Sequence, residues 1–184
     1  MNTPPTRKRN YRNTKPSDKA ADGWRTLPDG HFSTGICSEP ILIAYARAVS
    51  LWPLVEDAMT NVLMELIGTD NHEIASEIFH ALLAQNTRLP VMKALLQNTQ
   101  ANQGKPETFD EIIDEFTRLN IERNHLVHHY WLTHDNGEVY RCPSNQSMVH
   151  AMRYGELVTV ESLDTFRDAC NALTRRALLL SFRQ

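Results

Sequence analysis

Apolar residues recur with helical spacing along most of the chain after residue 39. The first such region begins at Pro40 and ends at Gly68, a residue suited to terminating a helix. Pro53 lies inside this region and is expected to kink the helix or to split it in two. The same spacing predicts three further helices, over about residues 70–83, 87–100 and 106–130, with Asp70 capping the first of them.

The pattern changes after residue 131. Residues 132–140 enclose Asn136-Gly137, and this dipeptide is a strong signal for a two-stranded hairpin. Residues 154–158 offer a third short strand, and Thr159 is a good cap for a last helix. Because helices dominate the rest of the chain, the pattern predicts an all-α fold. We expect an up-and-down helical bundle with a small β-hairpin insertion before the last helix.

The first 38 residues differ from the rest. They are rich in Pro, Thr, Asn, Arg and Gly and show no apolar periodicity, so residues 1–38 are predicted to be a disordered basic arm. Residues 39–184 then form the helical domain. Residues 1–25 carry seven basic and two acidic side chains, whereas residues 26–184 carry 12 basic and 20 acidic ones. The body is therefore acidic, which argues against a general nucleic-acid binder, although the arm could contact phosphates.

Length and composition narrow the class of protein. A chain of 184 residues suits one domain, and no run reaches the roughly 18 apolar residues of a membrane-spanning helix. No apolar stretch follows the basic N-terminus, so a secretory signal is not supported. The three cysteines are too scattered for a disulfide framework or a zinc site. We therefore expect a soluble, cytoplasmic protein that does not associate with membranes.

The chemistry of the chain is concentrated between Glu122 and Trp131. Phosphate-binding glycine loops, zinc-protease histidine pairs and serine nucleophile motifs are all absent from the sequence. This segment instead combines one arginine, three histidines, an amide and two aromatic residues. Histidine can take and give a proton near neutral pH, and the arginine fork matches phosphate oxygens. These groups are sufficient for phosphoryl transfer without metal, because the 2′-hydroxyl of RNA supplies the nucleophile.

Helical geometry sorts these side chains into faces. Asn124 and His128 are one turn apart and share a face, and His125 and His129 share another. At about 100° per residue, Arg123 lies about 140° around the helix from His128. The long arginine stem narrows this gap, but a site shared between two copies of the chain would be easier to assemble.

The run Arg123-Asn124-His125-Leu126-Val127-His128 resembles the signature of HEPN domains: an arginine, a polar residue, three more residues and a histidine. The continuation to Trp131 looks like that of small bacterial members of the family. As a pattern of helices, the resemblance extends over roughly residues 40–182.

The resemblance implies a homodimer whose motif helices face each other across the axis. Many such domains are metal-independent endoribonucleases that act as toxins or defence effectors. It implies that Arg123 binds the scissile phosphate, that His128 is the general acid or base, and that Asn124 orients them. Tyr130 fits a variant of the motif in which a nucleotidyltransferase antitoxin adenylylates the tyrosine and silences the toxin.

Alternative interpretations remain open for these residues. Arg123 could pair with Glu122 or Glu156, and His128 could be a buried, hydrogen-bonded histidine of the core.

His125 and His129 could share a metal ion or act as accessory residues, although no third metal ligand is evident. Glu56 and Asp57 lie on the first long helix, and one of these side chains could orient His128. Glu56 is the accessory candidate.

The function predicted from the sequence is metal-independent endoribonuclease activity of toxin or defence type on an RNA substrate, with no cofactor and no metal. Cleavage would proceed by 2′-hydroxyl attack, with arginine and histidine catalysis at a dimer interface. The alternative is a catalytically silent HEPN-like helical dimer that binds a protein or a nucleotide. A metal-dependent hydrolase that uses the histidine cluster is a third hypothesis.

Overall fold

The computed structural model describes residues 24–82, 85–98, 106–144 and 153–181. Within these ranges the chain forms six helices: α1 (Glu39–Val49), α2 (Trp52–Ile67), α3 (His72–Ala81), α4 (Gln85–Asn98), α5 (Pro106–His128) and α6 (Val160–Ser181). It also forms five strands: β1 (Arg25–Thr26), β2 (Phe32–Thr34), β3 (Tyr130–His134), β4 (Val139–Cys142) and β5 (Tyr154–Val158).

The five strands form one antiparallel sheet in the order β1-β5-β4-β3-β2. The prediction of an all-α bundle is therefore wrong, and the fold is mixed α/β. The expected hairpin and third strand are present as β3, β4 and β5. Both edges of the sheet come from a segment far away in sequence, since β1 pairs with β5 and β2 pairs with β3.

The edge strands belong to the segment that the sequence assigns to a disordered arm. Residues 24–38 contain both β1 and β2, whereas residues 1–23 of that arm lie outside the described residues. Strands of two and three residues are too short to show an alternating pattern. Only their pairing with β5 and β3 holds these residues in an extended conformation, which explains why the sequence pattern missed them.

The helix boundaries follow local signals. The region split by Pro53 forms two helices, and the proline occupies the first turn of α2, where its missing N–H costs no hydrogen bond. Gly68 ends α2 in the left-handed conformation, with φ of 68°. The cap of α3 is Asn71 rather than the predicted Asp70, because Asn71 Oδ1 accepts a hydrogen bond from Ile74 N–H at 3.1 Å.

The main core lies between the helices and one face of the sheet. Trp52 of α2 stacks on Phe116 of α5 with ring centroids 5.6 Å apart, which fixes the start of α2 against the middle of α5. Val139 and Val158, which are partners across β4 and β5, extend this core onto the sheet. A second, smaller apolar cluster covers the opposite face of the sheet: Leu27, Leu132, Tyr140 and Cys142, with Phe32 packed against them.

The fold places the chemically rich segment at a junction. Helix α5 ends at His128 and strand β3 begins at Tyr130, so the motif lies where the bundle passes into the sheet. Trp131 anchors this junction, because its Nε1–H donates to the Leu126 carbonyl at 3.0 Å and its ring packs edge-on against Tyr45. No helix in the described ranges is long and apolar enough to cross a membrane.

Candidate functional site

The guanidinium of Arg123 is held at the surface between α5 and the start of α2. Its Nη1–H donates to Asn124 Oδ1 at 3.1 Å, and its Cζ atom lies 5.9 Å from the centroid of the Trp52 ring. Contact with the face of a tryptophan ring favours a cation. The Arg123 side chain is therefore directed towards both its neighbour on the helix and the buried Trp52.

His128 occupies the last position of α5 and is exposed to solvent. Its side chain makes no hydrogen bond or ion pair with any residue of the described ranges. This excludes the interpretation of His128 as a buried, hydrogen-bonded core histidine. Asn124 lies one turn earlier, which places it on the same side of the helix as His128, and its Oδ1 accepts the Arg123 hydrogen bond.

His125 and His129 form a stacked pair beside these residues. Their ring centroids lie 4.5 Å apart with an interplanar angle of 16°, and Trp24 contacts the His129 ring at 5.5 Å. Burial, followed by the proximity of His125 and Arg141, lowers the pKa of His129 to about 4. The buried His129 Nδ1 has no hydrogen-bond partner among the described residues.

The stacked histidines do not form a metal centre in the described part of the chain. A structural zinc site needs four ligands, and no group of three or more His, Cys, Asp or Glu side chains is arranged to hold a metal there. The nearest carboxylate oxygen to His125 Nδ1 is Glu122 Oε2, at 3.9 Å, and that carboxylate is engaged elsewhere.

Arg141 of β4 is not among the residues that the sequence predicts for the site. It is buried, and its guanidinium binds Glu122 on α5 at 2.6 Å and Glu156 on β5 at 2.6 Å. Glu122 and Glu156, which the sequence presents as alternative partners of Arg123, are thus bound by Arg141 instead. A signal was available, since an arginine within a strand of apolar residues faces a glutamate in the predicted neighbouring strand.

Glu56 and Asp57 of α2 pair with residues outside the motif. Glu56 Oε1 lies 3.4 Å from Arg88 Nη1 of α4, and Asp57 Oδ1 lies 3.2 Å from His72 Nε2 of α3. The predicted accessory role of Glu56 in orienting His128 therefore has no contact to support it in the described ranges.

Tyr130 is the first residue of β3 and is partly exposed, with 38% of its surface accessible. It follows His128, the last residue of α5, by two positions. The structure thus joins Arg123 to Asn124 and His125 to His129 by direct contacts, exposes His128 and Tyr130 in the same segment, and pairs Glu56 with Arg88 instead.

The comparisons with known proteins add no relative. No protein-family model matches the sequence. No curated protein matches it, and no solved structure matches the fold.

Proposed function

We propose that this protein is a metal-independent endoribonuclease of the HEPN type. In this proposal Arg123 binds the scissile phosphate, Asn124 orients Arg123, and His128 transfers a proton. The proposal is supported by the chemistry of these three side chains and by the short motif that contains them. The overall fold does not support it, because the sheet of five strands departs from the all-α bundle that the resemblance implies.

The observation that carries the proposal is the hydrogen bond from Arg123 Nη1–H to Asn124 Oδ1 at 3.1 Å. On an ideal helix Arg123 would point about 140° away from His128. Asn124 lies on the face of His128, so the bond draws the guanidinium towards that face. The Arg123 cation and the solvent-exposed imidazole of His128 lie on the same stretch of α5, and cleavage at a phosphate requires a group of each kind.

The reaction balances with these groups alone. The 2′-hydroxyl oxygen loses its proton and forms a bond to phosphorus, while the bond from phosphorus to the 5′-oxygen breaks and that oxygen gains a proton. Arg123 stabilises the added negative charge on the phosphorane. The products carry a 2′,3′-cyclic phosphate and a 5′-hydroxyl, and no metal ion takes part.

The reaction has two proton transfers and needs two proton carriers. His128 is the one exposed histidine of the motif that does not belong to the stacked pair of His125 and His129. We therefore propose a two-fold homodimer in which the His128 residues of two copies serve the same phosphate. Apolar surface beside the motif favours this, because Ile121 and Val127 of α5 are 50% and 38% exposed. Apolar side chains on an exposed helix face are typical of interfaces.

The test is cleavage of a mixed RNA substrate in EDTA by the wild type and by Arg123→Ala and His128→Ala. We expect each variant to lose activity by a factor of about 10²–10⁴, as is usual for positioned acid–base and charge-stabilising groups. His31→Ala is the matched control, because His31 is exposed and its carbonyl accepts from Asp135 N–H at the far end of β3. Mass spectrometry of the ends identifies the products.

Products with 5′-phosphates, or activity that EDTA abolishes, would refute the mechanism. Absence of RNA cleavage by a folded, dimeric wild type would favour the alternative of a catalytically silent module that binds a protein or a nucleotide. Light scattering of the same samples reports the dimer, and the histidine variants should retain it if they lose only chemistry.

A further inference from the structure

We infer that the outer face of the His125 ring is a stacking site for an unpaired base of single-stranded RNA. The inference rests on the proposed function and specifies its substrate class. It follows from a row of three contacting rings that ends at the surface beside the motif: Trp24 is tilted by 58° against His129, and His129 stacks on His125.

The inner part of this row is fixed by packing. His129 contacts Trp24 at 5.5 Å with a tilt of 58°, and it contacts His125 at 4.5 Å with the two imidazole planes inclined by only 16°. Because burial keeps the pKa of His129 near 4, its ring is uncharged at neutral pH and stacks on His125 without charge repulsion. One face of the His125 ring is therefore already stacked on His129, which limits the ordering that a ligand would require.

The outer part of the row is open. The His125 side chain is 38% exposed, and no aromatic ring in the described ranges covers its second face. A row of rings that served only to fill the core would end under other apolar groups. This one ends in solvent, which is the geometry that proteins use to stack a nucleic-acid base.

The position of His125 relates this surface to the proposed cleavage site. His125 precedes His128 by three residues, so their Cβ atoms are neighbours on the helix, roughly 5–6 Å apart. Asn124, which holds Arg123, is adjacent. A base on His125 would therefore belong to a nucleotide next to the phosphate that Arg123 binds.

Physical reasons favour a single strand over a duplex. In a duplex both faces of every base are already stacked, so none is available to His125, whereas an unpaired base can turn outwards. The body of the protein has more acidic than basic side chains, so attraction of phosphates alone is a poor source of affinity. A stacking site supplies affinity that does not depend on charge.

The experiment measures binding apart from cleavage. The probe is a fluorescein-labelled single-stranded oligonucleotide with 2′-O-methyl sugars, which cannot be cleaved by 2′-hydroxyl attack. Fluorescence anisotropy at fixed salt gives the dissociation constant for the wild type, His125→Ala, His125→Phe and the His31→Ala control. Thermal unfolding of each variant establishes that it is folded.

We expect His125→Ala to weaken binding by about 5- to 100-fold, the usual loss of one base-stacking contact. His125→Phe should bind close to the wild type, because it retains a flat ring and loses only the ring nitrogens. A strand of the same length with abasic positions should bind the wild type weakly and should not respond to His125→Ala. A fully paired duplex should behave like the abasic strand.

Several results would overturn the inference: no binding of the single strand by the wild type, equal binding by His125→Ala, or equally weak binding by His125→Ala and His125→Phe. The cleavage assay separates the two proposals. Base-dependent binding without cleavage would leave the stacking site in place and refute the ribonuclease. Cleavage that His125→Ala does not change would refute the stacking site and leave the ribonuclease in place.

Discussion

Arg141 binds both carboxylate oxygens of Glu122, with Nη1 to Oε1 at 2.6 Å and Nη2 to Oε2 at 3.2 Å. This bidentate pair joins β4 to the last turns of α5, and Glu156 of β5 binds the other side of the same guanidinium. Burial opposes the charged form of Arg141, but the hydrogen bonds and charges of both carboxylates outweigh it and raise the pKa of Arg141. The buried guanidinium of Arg141 therefore links helix α5, which carries the motif, to the sheet.

This arrangement predicts that the two glutamates substitute for one another. Glu122→Gln or Glu156→Gln alone leaves Arg141 with one carboxylate. Each single variant should lower the free energy of unfolding by less than half of the loss in the double variant. The double variant leaves a buried cation unpaired, for which we expect a loss of about 3–5 kcal/mol in the free energy of unfolding. Urea unfolding measures all three proteins.

The exposed pair of Arg176 and Glu111 is the matched control, since its N–O distance of 2.7 Å is close to the 2.6 Å of the Arg141 pairs. Glu111→Gln should change stability by less than about 1 kcal/mol. A double variant of Glu122 and Glu156 whose loss equals the sum of the single losses would contradict the shared role of Arg141.

Gly155 lies where β5 meets the smaller apolar cluster. A Cβ atom at this position would lie 2.7 Å from Leu27 Cδ2 and 3.1 Å from Cys142 Sγ, so the Leu27 side chain would have to shift within its apolar cluster. Gly155→Ala should therefore lower the free energy of unfolding by about 1–3 kcal/mol through overpacking. Leu27→Ala should lower it by about 2–5 kcal/mol, the range of a core truncation.

The double variant tests the cause. Leu27→Ala removes the methyl group that the new Cβ would strike, so the two losses should sum to more than the measured loss of the double variant. Strict additivity in denaturant unfolding would show that the cost of Gly155→Ala arises elsewhere.

The pKa of His129 predicts a specific loss of stability in acid. Its pKa is about 4 in the folded chain, against the ordinary value of 6.5 expected in the unfolded chain. Between these values the unfolded chain binds more protons, so the free energy of unfolding falls as pH decreases from about 6.5 to about 4. Above about 6.5 the ring is neutral in both states and pH has no effect through it.

His129→Phe retains an aromatic ring and removes the titration, so it should lose less stability than the wild type over this pH range. Carboxylates such as Glu115 and Glu138 titrate in both proteins and cancel in the difference. Urea midpoints at pH 7 and pH 4.5 provide the measurement. His31→Phe should follow the wild type, and an unchanged slope in His129→Phe would refute the assignment.

The three cysteines should differ sharply in reactivity. Cys37 is exposed, whereas Cys142 and Cys170 are buried and free. Burial raises the pKa of the Cys142 thiol to about 11 and that of the Cys170 thiol to about 12, so both lack the reactive thiolate near neutral pH. A disulfide reagent such as DTNB should titrate one thiol rapidly in the native protein and three in denaturant. Cys37→Ser should remove the rapid phase, and a rapid phase that persists would contradict the burial of the other two.

The sequence by itself determined the elements whose cause is local. Proline suits the first turn of a helix, so Pro53 marks the start of α2, and Gly137 adopts a φ of 88° in the hairpin turn that Asn136-Gly137 predicts. Thr159 caps α6, where Ser162 N–H donates to Thr159 Oγ1 at 3.1 Å. The nearness of Arg123 to Asn124 is likewise a consequence of adjacency along the helix.

Only the tertiary structure decided the sheet and the surroundings of the motif. Strands β1 and β2 form because backbone groups of β5 and β3, distant in sequence, complete their hydrogen bonds. Segments of two or three residues are too short to show the alternating pattern that predicts a strand. Trp24 contacts His129 although the two residues are far apart in sequence. Glu122 pairs with Arg141 rather than with Arg123. Such pairings depend on which charged and aromatic groups are buried together, and burial is set by the packing of the whole chain.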